Sequence, residues 1–290
     1  MTLFQLILVL CAAALHASWN VAAKYGSGAG YIFAFAYKLI ATLFYLPIVV
    51  FLLFHQQTTF SFFILFILVL TAVIHLLYSL SLLTGYQRAG ISVVYPVARG
   101  TGPLITSVLA FLVFNERLNW VEVLGILSIC GGVLFIALKD KLTQTSQEGS
   151  SWLGVRWGLF IGLIIASYSI VDAYAVKVLA LTPVLVNWVS SLGGTCLLLP
   201  KVLKERKKLG PSMKGIWKYA AFIGVVSPLA YILVLFAIQT GANVSIVAPL
   251  RETSMVFATL AGIWLFKEKM PLISWLGCLS ILLGVVLVAS

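Results

Sequence analysis

Two arginines stand 152 residues apart, each shortly after a proline: Pro96 precedes Arg99, and Pro249 precedes Arg251. A guanidinium stays charged and presents forked donors that match a carboxylate, phosphate or phosphonate. A proline removes a backbone donor and frees a carbonyl, which kinks or unwinds a helix. Arg99 and Arg251 are therefore candidates to grip an anionic group on a solute, with Lys38 as a third cation. Asp172 and Glu252 are acids in similar surroundings, and a free imidazole is the side chain that ordinarily changes charge near neutrality, so these two acids with His16 and His75 are candidates for proton coupling. Trp19, Asn20 and Tyr95 offer aromatic walls and hydrogen-bonding groups for a substrate. Each candidate has a plainer alternative. The arginines could pair internally, for example Arg251 with Asp172, and the imidazoles could sit neutral on a backbone carbonyl or a serine.

What makes these groups unusual is their setting. The chain has 290 residues, 62% of them hydrophobic and 9% charged. A soluble domain carries about a quarter charged residues. Apolar runs long enough to span a bilayer fall at 3–23, 31–54, 61–84, 91–113, 120–138, 153–176, 183–200, 216–238, 244–265 and 271–289. Every candidate above lies inside one of them, where an ionisable group is costly and is a functional candidate by default. Met1 to Gln5 holds no Lys or Arg and the first run continues to Ala23, so it reads as a membrane helix rather than a cleaved leader. The four cysteines sit in apolar runs without CxxC or metal spacing and read as small packing residues.

The formal charge of +11 is placed in short loops, which marks topology rather than nucleic-acid binding. Loops after odd-numbered runs carry Lys24, Arg88, Lys139, Lys141, Lys267, Lys269 and the basic cluster from Lys201 to Lys218, whereas the opposite loops hold Arg117 and Lys177. The odd loops are then cytoplasmic and both termini lie outside. On that topology His16, Lys38, His75 and Arg99 fall in the cytoplasmic half, and Asp172, Arg251 and Glu252 nearer the outside.

The two halves repeat. At an offset of 152, Arg99 aligns with Arg251, Glu116 with Glu268, Gly125 with Gly277, Ser128 with Ser280 and Gly132 with Gly284. A one-residue gap brings Ser92 onto Ser245 and Pro96 onto Pro249. Residues 1–138 and 152–290 form the two halves, and the polar stretch 139–151 reads as their linker. Five helices per half is an odd number, so the second half enters the membrane upside down. The expected fold is an all-α integral membrane protein of ten transmembrane helices in two inverted five-helix repeats, a common transporter design. Glu116 and Glu268 stand before the fifth and tenth helices, where a carboxylate caps orphan N–H groups. The glycines of Gly154-x-x-x-Gly158-x-x-x-Gly162 form a stripe for close helix contact, within the chain or between two copies.

The motifs His16-Ala17-Ser18-Trp19-Asn20 and Tyr95-Pro96-Val97-Ala98-Arg99-Gly100, with the twins Glu116-Arg117-Leu118 and Glu268-Lys269-Met270, resemble the drug/metabolite transporter superfamily, EamA type. The resemblance spans the whole chain. It implies secondary transport of a small metabolite or drug without ATP, coupled to protons or exchange. The charged pair Arg251-Glu252 deep in the ninth helix departs from the family's pattern and leaves the substrate open.

The sequence holds no GxxxxGK[ST], no HExxH and no Gly-x-Ser-x-Gly. The expectation is a transporter and not an enzyme, with no cofactor and no metal. It would work in the bacterial inner membrane as a monomer or homodimer, on an anionic or zwitterionic metabolite, by alternating access with proton coupling or exchange. Efflux of cationic drugs by the same fold is the alternative. An intramembrane enzyme or a non-transporting scaffold is the alternative of another class.

Overall fold

The computed structural model describes residues 1–55, 60–89, 91–143, 150–266 and 270–290. These residues form helices α1 (Leu3–Gly26), α2 (Gly30–His55), α3 (Phe62–Ala89), α4 (Ile91–Phe114), α5 (Trp120–Thr143), α6 (Ser150–Lys177), α7 (Pro183–Lys204), α8 (Arg206–Met213), α9 (Trp217–Gln239), α10 (Val244–Leu250), α11 (Ser254–Phe266) and α12 (Leu272–Ala289). A 3₁₀ turn, Arg251–Thr253, joins α10 to α11 into one span. Nine segments among the described residues are long and apolar enough to cross a membrane, and α5 adds the shorter apolar stretch Trp120–Ile136. The short α8 carries Arg206, Lys207 and Lys208 of the basic cluster, which begins at the end of α7 and reaches into α9. Of the expected linker 139–151, residues 139–143 continue α5 and 150–151 begin α6, while 144–149 lie outside the described residues. Glu268, Lys267 and Lys269 lie outside them as well.

Local chemistry sets several helix ends. Asn119 and Glu122 form a reciprocal box at the start of α5, each side chain accepting from the other's backbone N–H at 2.8 Å. Thr182 caps α7, followed by Pro183 at the first helical position. Asn115, in the left-handed region at φ 51°, ends α4 and lets the chain turn at Glu116.

The inverted repeat is visible in how α5 meets α12. Gly125 lies on Gly284, and Gly132 lies on Gly277, so the helices run antiparallel. Ser128 Oγ donates to the Ser280 carbonyl at 2.8 Å, and Ser280 Oγ donates to the Ser128 carbonyl at 2.8 Å. Each partner is the sequence equivalent of the other at the 152-residue offset, so a two-fold axis perpendicular to the helices maps the contact onto itself. The remaining packing exchanges halves in the same sense. Helix α1 packs on α9 as α6 packs on α3, and α2 packs on α9 as α7 packs on α3.

The glycine stripe of α6 is used within the chain. Gly154, Gly158 and Gly162 face Val93, Val97 and Thr101 of α4. Cys130 and Cys278 are buried, whereas Cys11 and Cys196 are exposed on the outer surface, so the packing role expected for all four holds for two.

Candidate functional site

The site forms where α4 crosses the break between α10 and α11. Pro249 has no N–H to offer the carbonyl of Ser245, one turn earlier. That carbonyl accepts from Ser107 Oγ of α4 at 2.6 Å, so the first half satisfies a group that the second half leaves open. After Pro249 the backbone tightens into the 3₁₀ turn that carries Arg251 and Glu252. The repeat-related proline behaves differently, since Pro96 lies within an unbroken α4. The expected pair of broken helices is therefore a single break, in the second half.

Arg99 reaches that break from α4. Its Nε stands 2.9 Å from Glu252 Oε2, and its Nη2 donates to Ser254 Oγ at 3.0 Å. The Arg99–Glu252 contact is an ion pair by distance without hydrogen-bond alignment, for Arg99 Nε and both Glu252 oxygens lack a hydrogen-bond partner. Tyr95, one turn before Arg99, places its ring 5.8 Å from the guanidinium and donates its hydroxyl to Met255 Sδ at 3.6 Å. Arg251 turns toward α9, where its guanidinium lies 5.9 Å from the Tyr231 ring, and its Nε is buried without a partner. Arg99 and Arg251 are each 7% exposed and Glu252 1%. Two guanidinium groups and one carboxylate are thus buried within electrostatic reach of one another, with an excess of one positive charge.

A second cluster adjoins the first through Tyr231. Asp172 of α6 is fully buried and accepts three side-chain hydrogen bonds. Thr71 Oγ1 donates to its Oδ1, and on Oδ2 it meets His75 Nε2 at 2.8 Å and the Tyr231 hydroxyl at 2.6 Å. Thr71 and His75 stand one turn apart on α3 and so present both groups to α6. The His75 ring lies against Tyr168 at 4.4 Å, and Tyr168 meets Tyr78 edge-on at 5.5 Å. The phenol of Tyr231 therefore binds Asp172 by its hydroxyl and Arg251 by its ring.

The other sequence candidates fall nearby or apart. His16 packs edge-on against Trp19 at 4.8 Å and lies within electrostatic reach of both arginines. Trp19 Nε1 is buried without a partner. Asn20 turns its amide back to the His16 carbonyl at 2.8 Å. Lys38 lies along Gly194 of α7, where even a methyl group would stand 3.1 Å from its Nζ; its carbonyl accepts from Thr42 Oγ1, while its Nζ has no hydrogen bond or ion pair among the described residues.

Three expectations are corrected by this geometry. Arg251 does not pair with Asp172; the internal ion pair is Arg99 with Glu252, because the 3₁₀ turn aims consecutive side chains in different directions. The two depth groups are not separate layers, because Arg99 touches Glu252 and His75 touches Asp172. Glu116 caps a helix, but not the one that follows it. Its carboxylate accepts from the backbone N–H groups of Val244 and Ser245 at 2.8 and 2.9 Å, from Ser245 Oγ at 2.6 Å and from Lys177 Nζ at 2.8 Å. It thereby caps α10 of the other half. Ser254 and Thr71 escaped sequence reasoning; the one signal was the four-residue spacing of Thr71 from His75.

A model of the EamA-like transporter family matches the chain twice, over residues 3–138 and over residues 152–290. No curated protein matches it. Among solved structures 28 chains match. One of them, titled "Crystal structure of protein", is 13% identical with a TM-score of 0.77, covers 98% of this chain and 95% of its own, and is similar in fold.

Proposed function

Because the chain belongs to the EamA-like transporter family, we propose that it carries a small anionic or zwitterionic metabolite across the bacterial inner membrane by alternating access. The observation that carries this reading is the buried excess of positive charge at Arg99, Arg251 and Glu252, with hydrogen-bonding atoms left open on all three. A solute acid would take its place between the two guanidinium groups. Asp172 and His75 are the coupling pair in this reading. A proton added there weakens the hold on Tyr231, and Tyr231 passes the change to Arg251 through its ring. The positive loops favour both termini outside. Efflux of simple cations has less support, since two guanidinium groups stand beside the one under-bonded carboxylate, Glu252, and Asp172 is already bonded three times.

Uptake into proteoliposomes under an imposed proton gradient tests the reading. Arg99→Lys and Arg251→Lys keep the charge and lose the fork. Each is expected to lower kcat/KM for an acidic solute about ten- to hundredfold, the weight of one or two charged hydrogen bonds. Unchanged transport in both folded variants would remove the arginines from the binding site.

A further inference from the structure

Resting on the arginine clamp, we propose that the solute carries an ammonium group beside its acid, and that Glu252 holds this ammonium. The open atoms around the clamp are of two kinds. Arg99 Nε and Arg251 Nε are donors, whereas Glu252 Oε1 and Oε2 are acceptors, and all four are buried without a hydrogen-bond partner. A carboxylate has about four lone-pair sites, and one buried with none of them hydrogen-bonded is rare in a folded protein unless a ligand, ion or water completes it. A simple anion would fill the arginine donors and repel Glu252. A simple cation would do the reverse. A molecule with both groups fills both kinds of opening at once.

The charges select further. Two guanidinium groups and one carboxylate are matched one for one by two acidic charges and one ammonium, which makes a ligand of net charge −1. An acidic amino acid has that pattern, and so does an aminoalkyl phosphate. Asp172 does not compete for the ammonium, since Thr71, His75 and Tyr231 already occupy its oxygens. Lys38 does not belong to the cluster either, for it lies along Gly194. Arg99 leans on Glu252 at 2.9 Å, so each stands in for the ligand group that the other would receive. This assigns Glu252 to solute selection rather than to proton coupling.

Thermal unfolding of the detergent-purified full chain with added probes provides the test, since a ligand of the native state raises the midpoint. The probes are aspartate, 2-aminoethyl phosphate, glycine, succinate, inorganic phosphate and ethylamine. Aspartate or 2-aminoethyl phosphate is expected to stabilise the wild type, and whichever does so tells carboxylate from phosphate recognition. Glycine should act more weakly, and succinate, phosphate and ethylamine should have little effect. In Glu252→Gln the ammonium-bearing probe is expected to bind about ten- to hundredfold more weakly, and the matching simple acid more tightly. If succinate or phosphate stabilises the wild type as well as its ammonium-bearing counterpart, the ammonium site is overturned and the clamp survives. If no acidic probe stabilises the wild type, the clamp falls too. Should Glu252→Gln fail to fold, the wild-type panel alone decides the matter.

Discussion

The residues with most at stake are charged groups buried where water cannot reach. Arg99 and Glu252 are close in space and under-bonded, whereas Asp172 is held by three donors. In the proposed reading the difference separates groups that take the solute from a group that organises its neighbours. Asp172→Asn keeps the shape of the side chain but presents an amide to donors that expect an acceptor. Its expected cost is about 1–3 kcal/mol in thermal unfolding. The proposed coupling role adds a second readout. Net uptake driven by a pH gradient should fall, while solute exchange at equal pH should persist. An unchanged pH response in the folded variant would make the cluster around Asp172 structural.

At the scale of elements, the approach of α5 to α12 leaves no room for a side chain. A methyl group at Gly132 would stand 2.6 Å from the Gly277 carbonyl oxygen, and one at Gly277 would stand 2.7 Å from the Gly132 carbonyl oxygen. Backbone cannot yield as a flexible side chain does, so Gly132→Ala and Gly277→Ala should each cost about 1–3 kcal/mol by overpacking. Gly131→Ala is the control. Nothing stands within 4 Å of a methyl group there, and alanine favours the helix, so the melting point should hold or rise. Equal melting points for Gly131→Ala and Gly132→Ala would refute the close-contact account. The break after Pro249 is an element of another kind. It is tolerated because Ser107 of the other half completes the carbonyl that proline leaves open.

For the molecule as a whole, Glu116 ties the halves together at the end of the bundle opposite α8 in the proposed topology. Burial raises its pKa, but hydrogen bonds from Lys177, from the Ser245 hydroxyl and from the backbone of Ser245 and Val244 outweigh that effect and hold it below the ordinary carboxylate range. A lowered native pKa contributes stability that is complete above the unfolded pKa and is lost as pH falls through the folded one. The wild type should therefore lose melting temperature in acid below the usual carboxylate range. Glu116→Gln should be less stable at neutral pH and lack that part of the acid limb. Identical acid limbs in the two proteins would show that the tie contributes nothing.

Much of this was legible in the chain. Apolar runs of bilayer length determine a helical membrane protein, because backbone groups in lipid must be satisfied within their own segment. The 152-residue echo of Arg99, Gly125, Ser128 and Gly132 determines the repeat, and five helices per half determine its inversion. Position inside the apolar runs also singled out His16, Lys38, His75, Arg99, Asp172, Arg251 and Glu252 as the costly groups. Partners were another matter. Arg99 meets Glu252 across 153 positions, His75 meets Asp172 across 97, and Glu116 caps a helix that begins 128 residues later. Tertiary structure also made the repeat unequal, with α4 continuous through Pro96 and the second half broken after Pro249. The physical reason is one of range. Helix formation in a bilayer is satisfied locally, but pairing among buried charges depends on which helix faces which, and packing between the two halves decides that.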